Sequence, residues 1–211
     1  MPTYNQCIFT GRVAWAQEKK IGPSWGVINT KIELPRFEFD YNGAHQMVND
    51  PILWMSIKAN YDRGNISCPD VLSSASAGRY ICVGGATISS FNSSAKDTEG
   101  KAIPNAPPIE RFTMEVSSNA VNFSEVPYPE VNECTFCGYV DSVDSSGWIV
   151  LRTSYKVKKE TKYRKVKILC DPSLVSPALK NNQLLVIGSV CGKTPTRESE
   201  LYVVAKNFFS L

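Results

Sequence analysis

The sequence has little of what most catalytic and metal sites require. Only one histidine occurs among the 211 residues, and this residue, His45, lies in the loop-like stretch FDYNGAHQM beside Asp40. The surrounding sequence lacks the elbow and the positioned third partner of a nucleophilic triad, and the alternate acids Glu38 and Asp40 give little support to a metal-dependent nuclease. We therefore predict a protein that is not an enzyme and that needs neither a metal nor a cofactor.

Long apolar runs are absent as well. No stretch of about 18 apolar residues is present, which argues against a membrane-spanning helix. The N-terminal MPTYNQC has neither the basic start nor the apolar core of a secretory signal, so we expect a cytoplasmic protein without a membrane partner. The 43% of apolar residues in a chain of this length is enough for a buried core in one or two domains.

The cysteines do not form a disulfide framework. There are seven of them, an odd number without regular spacing, so we expect reduced and buried thiols. Cys134 and Cys137 form a CxxC pair, but residues three apart on a strand point to opposite faces, and no second pair or nearby histidine completes a zinc site. A four-thiolate site that adds Cys170 and Cys191 stays an alternative, and core packing is the preferred interpretation.

Positive charge is concentrated in the C-terminal part of the chain. Lys plus Arg minus Asp plus Glu gives 11 − 13 = −2 for residues 1–131 and 12 − 7 = +5 for residues 132–211. The stretch from Trp148 to Cys170 alone contains eight Lys or Arg and a single acid, Glu160. Such a concentration favours a polyanionic partner over a face that is merely solvated.

The residue pattern predicts strands almost throughout, because β-branched and aromatic residues alternate with polar ones between closely spaced turns. In the second part we predict strands at 134–143, 148–158, 163–170, 184–193 and 201–208, with a short helix at 173–179. The first part gives the same order with strands at 7–16, 25–37, 52–60, 80–91 and 109–117, and a short helix near 70–77. Five strands with a helix between the third and the fourth is the chain order of an OB-fold, a Greek-key barrel.

An internal repeat supports two units of this kind. Four residues of CIFTGRV recur in CTFCGYV at an offset of 127 residues, and the pieces YICVGGATIS and LLVIGSVCGK are also alike. The sequence therefore predicts an all-β protein of two tandem OB-folds. We expect the first over residues 1–125, a linker over 126–132 and the second, which is compact and basic, over 133–211.

Several stretches of the first unit resemble the bacterial-type single-stranded DNA-binding proteins. These are FTGRV at 9–13, ILWMSIKAN at 52–60, GRYICVGGATIS at 78–89 and ERFTMEVSSNAVNF at 110–123. The second unit resembles the family chiefly in the order of its strands. The resemblance implies non-catalytic, largely sequence-independent binding and protection of single-stranded DNA in replication, recombination or repair. We expect either a homo-oligomer, such as a dimer, or a monomer with two OB-folds.

One departure from the family concerns its partners. Members commonly end in an acidic tail that recruits replication and recombination proteins, whereas this chain ends in KNFFSL. Recruitment through a tail is therefore not implied, and replication or recombination proteins stay an open expectation as partners. The ending also favours a phage or plasmid source, which would place the protein in the cytoplasm of a host.

The alternation of side chains along a strand defines a candidate binding face in each unit. Cations on this face would contact phosphates, and exposed rings would stack on unpaired bases. In the second unit the residues assigned to this face are Trp148, Arg152, Lys156, Lys158, Tyr163, Lys165 and Lys167. In the first unit they are Trp25, Lys31, Trp54 and Lys58.

Three questions stay open at this point. The long loop at 92–109 is either a mobile surface loop or a flap that closes over a bound strand. The same face would suit RNA, because stacking and cations do not distinguish the sugars. One or both barrels would also suit a protein-interaction scaffold in a replication complex.

Overall fold

The computed structural model describes residues 3–20, 22, 25–49, 51–62, 65–66, 77–95, 97–99, 101–117, 120–193 and 200–211. Within these ranges, the side chains of residues 18, 20, 25, 58–62, 65, 66, 117, 157, 193 and 200 lie outside the description. The strands in chain order are Tyr4–Lys20 (β1), Trp25–Glu33 (β2), Phe37–Tyr41 (β3), Ala44–Val48 (β4), Ile52–Asp62 (β5), Asn65–Ile66 (β6), Tyr80–Ser93 (β7), Ile109–Ser117 (β8), Val121–Ser124 (β9), Asn132–Val143 (β10), Trp148–Val157 (β11), Glu160–Leu169 (β12), Gln183–Lys193 (β13) and Glu200–Ser210 (β14). The prediction of an all-β protein is confirmed.

The described residues contain no α-helix, and so none that could cross a membrane. In place of the helix predicted at 173–179 there are two 3-10 turns, Pro172–Leu174 and Pro177–Leu179. Each turn begins at a proline, whose fixed φ suits a first helical position, and the chain returns to an extended or nearly extended conformation directly after it. The helix predicted near 70–77 falls almost wholly outside the described residues.

Five strands of the first part close into a barrel in the order β1-β2-β5-β8-β7. The pairing of β5 with β8 is parallel, the other pairings are antiparallel, and β7 returns to β1 to close the ring. β9 pairs with the N-terminal end of β7. Alternate side chains fill the interior, where the fully buried large residues include Phe9, Ile28, Ile32, Leu53, Ile57, Ile81 and Met114. Each burial of this kind contributes roughly 1.5–3 kcal/mol.

The second part repeats this pairing pattern. β10, β11, β12, β14 and β13 pair in that order, the β12–β14 pairing is parallel, and β13 returns to β10. The glycine shared by the two copies of the sequence repeat has the same packing reason in each. A Cβ at Gly11 would clash with the carbonyl oxygen of Glu33, and one at Gly138 would clash with that of Arg152.

Antiparallel pairing of β1 with β10 joins the two parts into one sheet. Cys7 lies directly opposite Cys134, and the sequence repeat makes these two residues equivalent. A pseudo-two-fold axis therefore passes between them. Burial raises the pKa of the Cys7 thiol well above its usual value, and a hydrogen bond with Cys134 adds to the effect, so the thiol stays protonated.

Two asparagines that are equivalent in the repeat extend the pairing of β1 with β7 and of β10 with β13. Asn5 Nδ2 donates to the Ile88 carbonyl at 2.7 Å, and the Ile88 N–H donates to Asn5 Oδ1 at 3.0 Å. Asn132 makes the same pair of bonds to Val190, at 3.0 and 2.9 Å. In each copy a side-chain amide thus takes the place of a backbone pairing partner.

The connection between β2 and β5 contains a hairpin, β3–β4, that the sequence analysis missed. The strand predicted over 25–37 ends at Glu33, because Pro35 has no N–H for a ladder. The hairpin turns at Asn42 and Gly43, both with positive φ. It packs against the second part of the chain, where Phe37 shares a buried cluster with Cys191 and Val204.

Candidate nucleic-acid interface

The outer face of β11 and β12 carries the second-unit residues as alternation predicts. Ile149 and Leu151 are fully buried, whereas Arg152 and Lys156 are exposed. Tyr163 on β12 has 59% of its surface exposed. This face therefore presents an aromatic ring and cations to solvent side by side.

The rings on this face are paired with cations. The Arg152 guanidinium carbon lies 5.1 Å from the centre of the Tyr163 ring, and the Lys167 ammonium lies 4.3 Å from that of Trp148. Trp148 also meets the ring of Tyr202 edge-on, at 5.2 Å and 79°. Trp148 is half-buried by these contacts, so Tyr163 is the more accessible of the two predicted stacking residues.

Lys165 has two carboxylate partners. Its ammonium lies 3.4 Å from Glu110 Oε1 on β8 and 3.2 Å from Asp141 Oδ2 on β10. Burial works against the charged form of Lys165, but the hydrogen bond to Asp141 and the charge of Glu110 outweigh it and raise the pKa of the ammonium. The same Asp141 lies 3.9 Å from Arg152. These acids reduce the positive charge that the centre of the face presents.

The tip of the β11–β12 hairpin carries several exposed lysines and one acid, Glu160. Lys158 occupies the two-residue connection between the strands with φ of 55°, and its side chain is exposed. Lys156, Lys159 and Lys162 are exposed around it. Four exposed lysines are therefore concentrated at the tip of this hairpin.

The first-unit residues fall on β2 and β5. Lys31 and Trp54 are register partners on neighbouring strands, and both are half-buried on the outer face. The side chains of Trp25 and Lys58 lie outside the described residues. The structure thus brings together two of the four residues predicted here.

Trp15 joins this group, and sequence reasoning did not find it. Simple alternation from Phe9 through Val13 places Trp15 inside the barrel, but the register of β1 on β2 shifts between Val13 and Trp15. This β-bulge turns Trp15 outward, where 38% of its surface is exposed. Its ring centre lies 5.5 Å from that of Trp54 at 60°.

The loop at 92–109 has its own hydrogen bonds. Asp97 Oδ1 accepts from the N–H groups of Glu99 and Lys101, both at 2.9 Å, and the Ile103 N–H donates to the Ala95 carbonyl at 2.8 Å. These bonds give the described part of the loop a defined conformation. Closure over a bound strand stays a prediction.

Cys137 and Cys170, two of the cysteines considered for a zinc site, are buried. The described part of the chain holds no group of three or more metal-ligating side chains. Cys137 accepts a hydrogen bond from Gln183 at 3.4 Å, and burial raises the pKa of Cys170 to about 12. Cys170 therefore packs as a protonated thiol.

The barrel and its outer face define the class of protein to which the chain is structurally similar. A closed five-stranded barrel with parallel third and fifth strands, in the order 1-2-3-5-4, is the arrangement of an OB-fold. The structure of a deletion mutant of the single-stranded DNA binding protein from Thermus aquaticus has a TM-score of 0.59 and 12% identity, and the match covers 100% of this chain and 95% of that chain. The wild-type structure of that protein gives 0.55 and 14%, with 100% and 94% covered.

These similarities show a shared fold along the whole chain. No protein-family model and no curated protein sequence matches the chain.

Proposed function

We propose that this protein consists of two tandem OB-folds and binds single-stranded DNA without catalysis and with little preference for sequence. The observation that carries the proposal is the outer face of β11 and β12. There the exposed ring of Tyr163 lies beside Arg152, next to the cationic hairpin tip, on a fold similar to that of a single-stranded DNA binding protein. Ring and cation together match what unpaired bases and their phosphates require.

Two terms would contribute to binding. Exposed cations, with Lys156 and Lys158 first among them, would neutralise phosphates and release counterions, so that affinity falls as salt rises. Rings would stack on bases, each contributing about 1–3 kcal/mol. Lys165 is engaged by two acids, so we assign it a smaller share of phosphate binding than the other predicted residues.

The wider role is part of the same proposal. It comprises protection of exposed strands in replication, recombination or repair, in the cytoplasm, with the units divided at 1–125, 126–132 and 133–211. A homo-oligomer is supported by an outward sheet face with exposed apolar side chains on β1, β13 and β14. They include Ile8, Ile187 and Phe209. Sizing the protein with and without DNA measures this assembly.

The direct test is a titration with a fluorescein-labelled dT oligomer at two salt concentrations, followed by anisotropy, with duplex DNA and a matched RNA oligomer as competitors. Tight and salt-sensitive binding that duplex does not displace supports the proposal. Stronger competition by RNA than by DNA would move the assignment to an RNA-binding protein. Absence of binding at low salt would contradict the proposal and leave a protein-interaction scaffold as the better explanation.

A further inference from the structure

Trp15 lies beside the predicted first-unit face as an exposed indole, and the proposed function has not yet assigned it a role. We infer that Trp15 is the base-stacking residue of the first unit, with Trp54 as its support and Lys31 beside it for the adjoining phosphate. The inference rests on the proposed function, because it assigns a further subsite for the same ligand. The ligand of this subsite would be one unpaired nucleobase with its phosphate.

The geometry of three neighbouring strands places these residues on one surface. Trp15 is the register partner of Lys31 on β2, and Lys31 is the register partner of Trp54 on β5. Strands two positions apart are separated by roughly 10 Å, since neighbours are about 4.8 Å apart. The indole centres are only 5.5 Å apart, so both rings lean towards each other across the position of Lys31.

The two indoles have different access to a ligand. Trp15 is 38% exposed, whereas the Trp54 Nε1 atom is buried and has no hydrogen-bond acceptor among the described residues. Edge-to-face contact with Trp54 fixes the orientation of the Trp15 ring before any ligand arrives. A fixed ring loses little rotamer freedom when a base stacks on it.

The second unit provides an internal comparison. β10 has a register shift between Val140 and Ser142, the positions equivalent to Val13 and Trp15. Ser142 is exposed at this second bulge. Because the same bulge accepts a serine, the barrel does not require an indole at Trp15. The tryptophan is therefore explained by a ligand better than by the fold.

The test compares Trp15→Ser, which introduces the residue of the equivalent bulge, with Trp15→Phe, which keeps a ring. Binding is measured by anisotropy of a labelled dT oligomer, so that loss of a tryptophan does not remove the signal. We expect Trp15→Ser to weaken binding roughly 5- to 150-fold and Trp15→Phe to stay within about threefold of the wild type. Thermal unfolding of both variants should stay within about 4 °C of the wild type.

Three outcomes would overturn the inference. If the wild type binds the oligomer tightly and Trp15→Ser binds it equally tightly, the subsite is wrong and the proposed function stands. If Trp15→Phe is as weak as Trp15→Ser, aromatic stacking is not the contribution of this residue. If the wild type itself fails to bind the oligomer at low salt, the proposed function falls, and the subsite falls with it.

Discussion

Replacing Lys165 by glutamine tests whether this residue contributes to the stability of the fold rather than to binding of the oligomer. The substitution leaves Glu110 and Asp141 facing each other without the ammonium that lies within 3.4 Å of both. Because the Lys165 side chain is 34% exposed, solvent screens each pair, and a screened pair contributes about 0.2–1 kcal/mol. Loss of both pairs therefore predicts a decrease of about 1 kcal/mol in the free energy of unfolding. In a chain of this size that corresponds to about 2–4 °C in the unfolding temperature.

The assay measures thermal unfolding and the salt dependence of oligomer binding for Lys165→Gln and for Lys156→Gln as the matched control. Lys156 is exposed near the hairpin tip, so its loss should leave stability unchanged and reduce the slope of log affinity against log salt by about 0.7. Lys165→Gln should lower the unfolding temperature and change that slope by much less. The reasoning is refuted if Lys165→Gln reduces the slope as much as Lys156→Gln does without loss of stability.

Three further predictions use other contacts. Tyr163→Ala should weaken oligomer binding roughly 5- to 150-fold. Trp148→Ala should weaken it less, because Tyr202 and Lys167 already cover Trp148. Equal losses of affinity in the two variants, measured by anisotropy, would contradict this. Asn132→Ala should reduce the free energy of unfolding in urea by about 1–3 kcal/mol, since it removes both hydrogen-bond partners of the Val190 backbone, and an unchanged midpoint would argue against that role. Hydrogen bonds to Asp40 and Glu38 raise the pKa of His45, so its stabilising effect should be complete below its unfolded pKa of about 6.5 and disappear as pH rises through the higher folded pKa. A folded-state NMR titration of the His45 ring with a midpoint at or below 6.5 would contradict this last prediction.

The sequence predicted those features that depend on side-chain alternation within a single strand. The inward positions of Ile149 and Leu151 and the outward positions of Arg152 and Tyr163 follow from a period of two. The order of the barrel strands along the chain follows from turn spacing and from the repeat. Side-chain alternation is visible in neighbouring residues alone, and it holds wherever the strand is regular.

Other features depend on contacts between residues far apart in sequence, and no local pattern indicates them. The bulge that turns Trp15 outward breaks the alternation at one residue without a glycine or proline to mark it. The pairing of Lys165 with Glu110 joins β12 to β8 across the two halves. One signal was available: Asn5 and Asn132 precede the repeated cysteines by the same two residues, and an amide at both positions indicated a shared backbone contact.

The two parts of the chain that meet at the β1–β10 junction are not identical, and this has a consequence for the direction of a bound strand. In a dimer of identical chains the two sides of the axis are the same, and a mutation appears on both. Here the two sides differ: the Phe37–Val48 hairpin lies on the β2–β5 connection, and the corresponding β11–β12 connection is the short turn at Lys158. Trp15 faces solvent on one side, and Ser142 on the other. Under the proposed function, a DNA strand that crosses both halves would therefore meet a different order of contacts in each orientation, and we predict that one polarity is preferred.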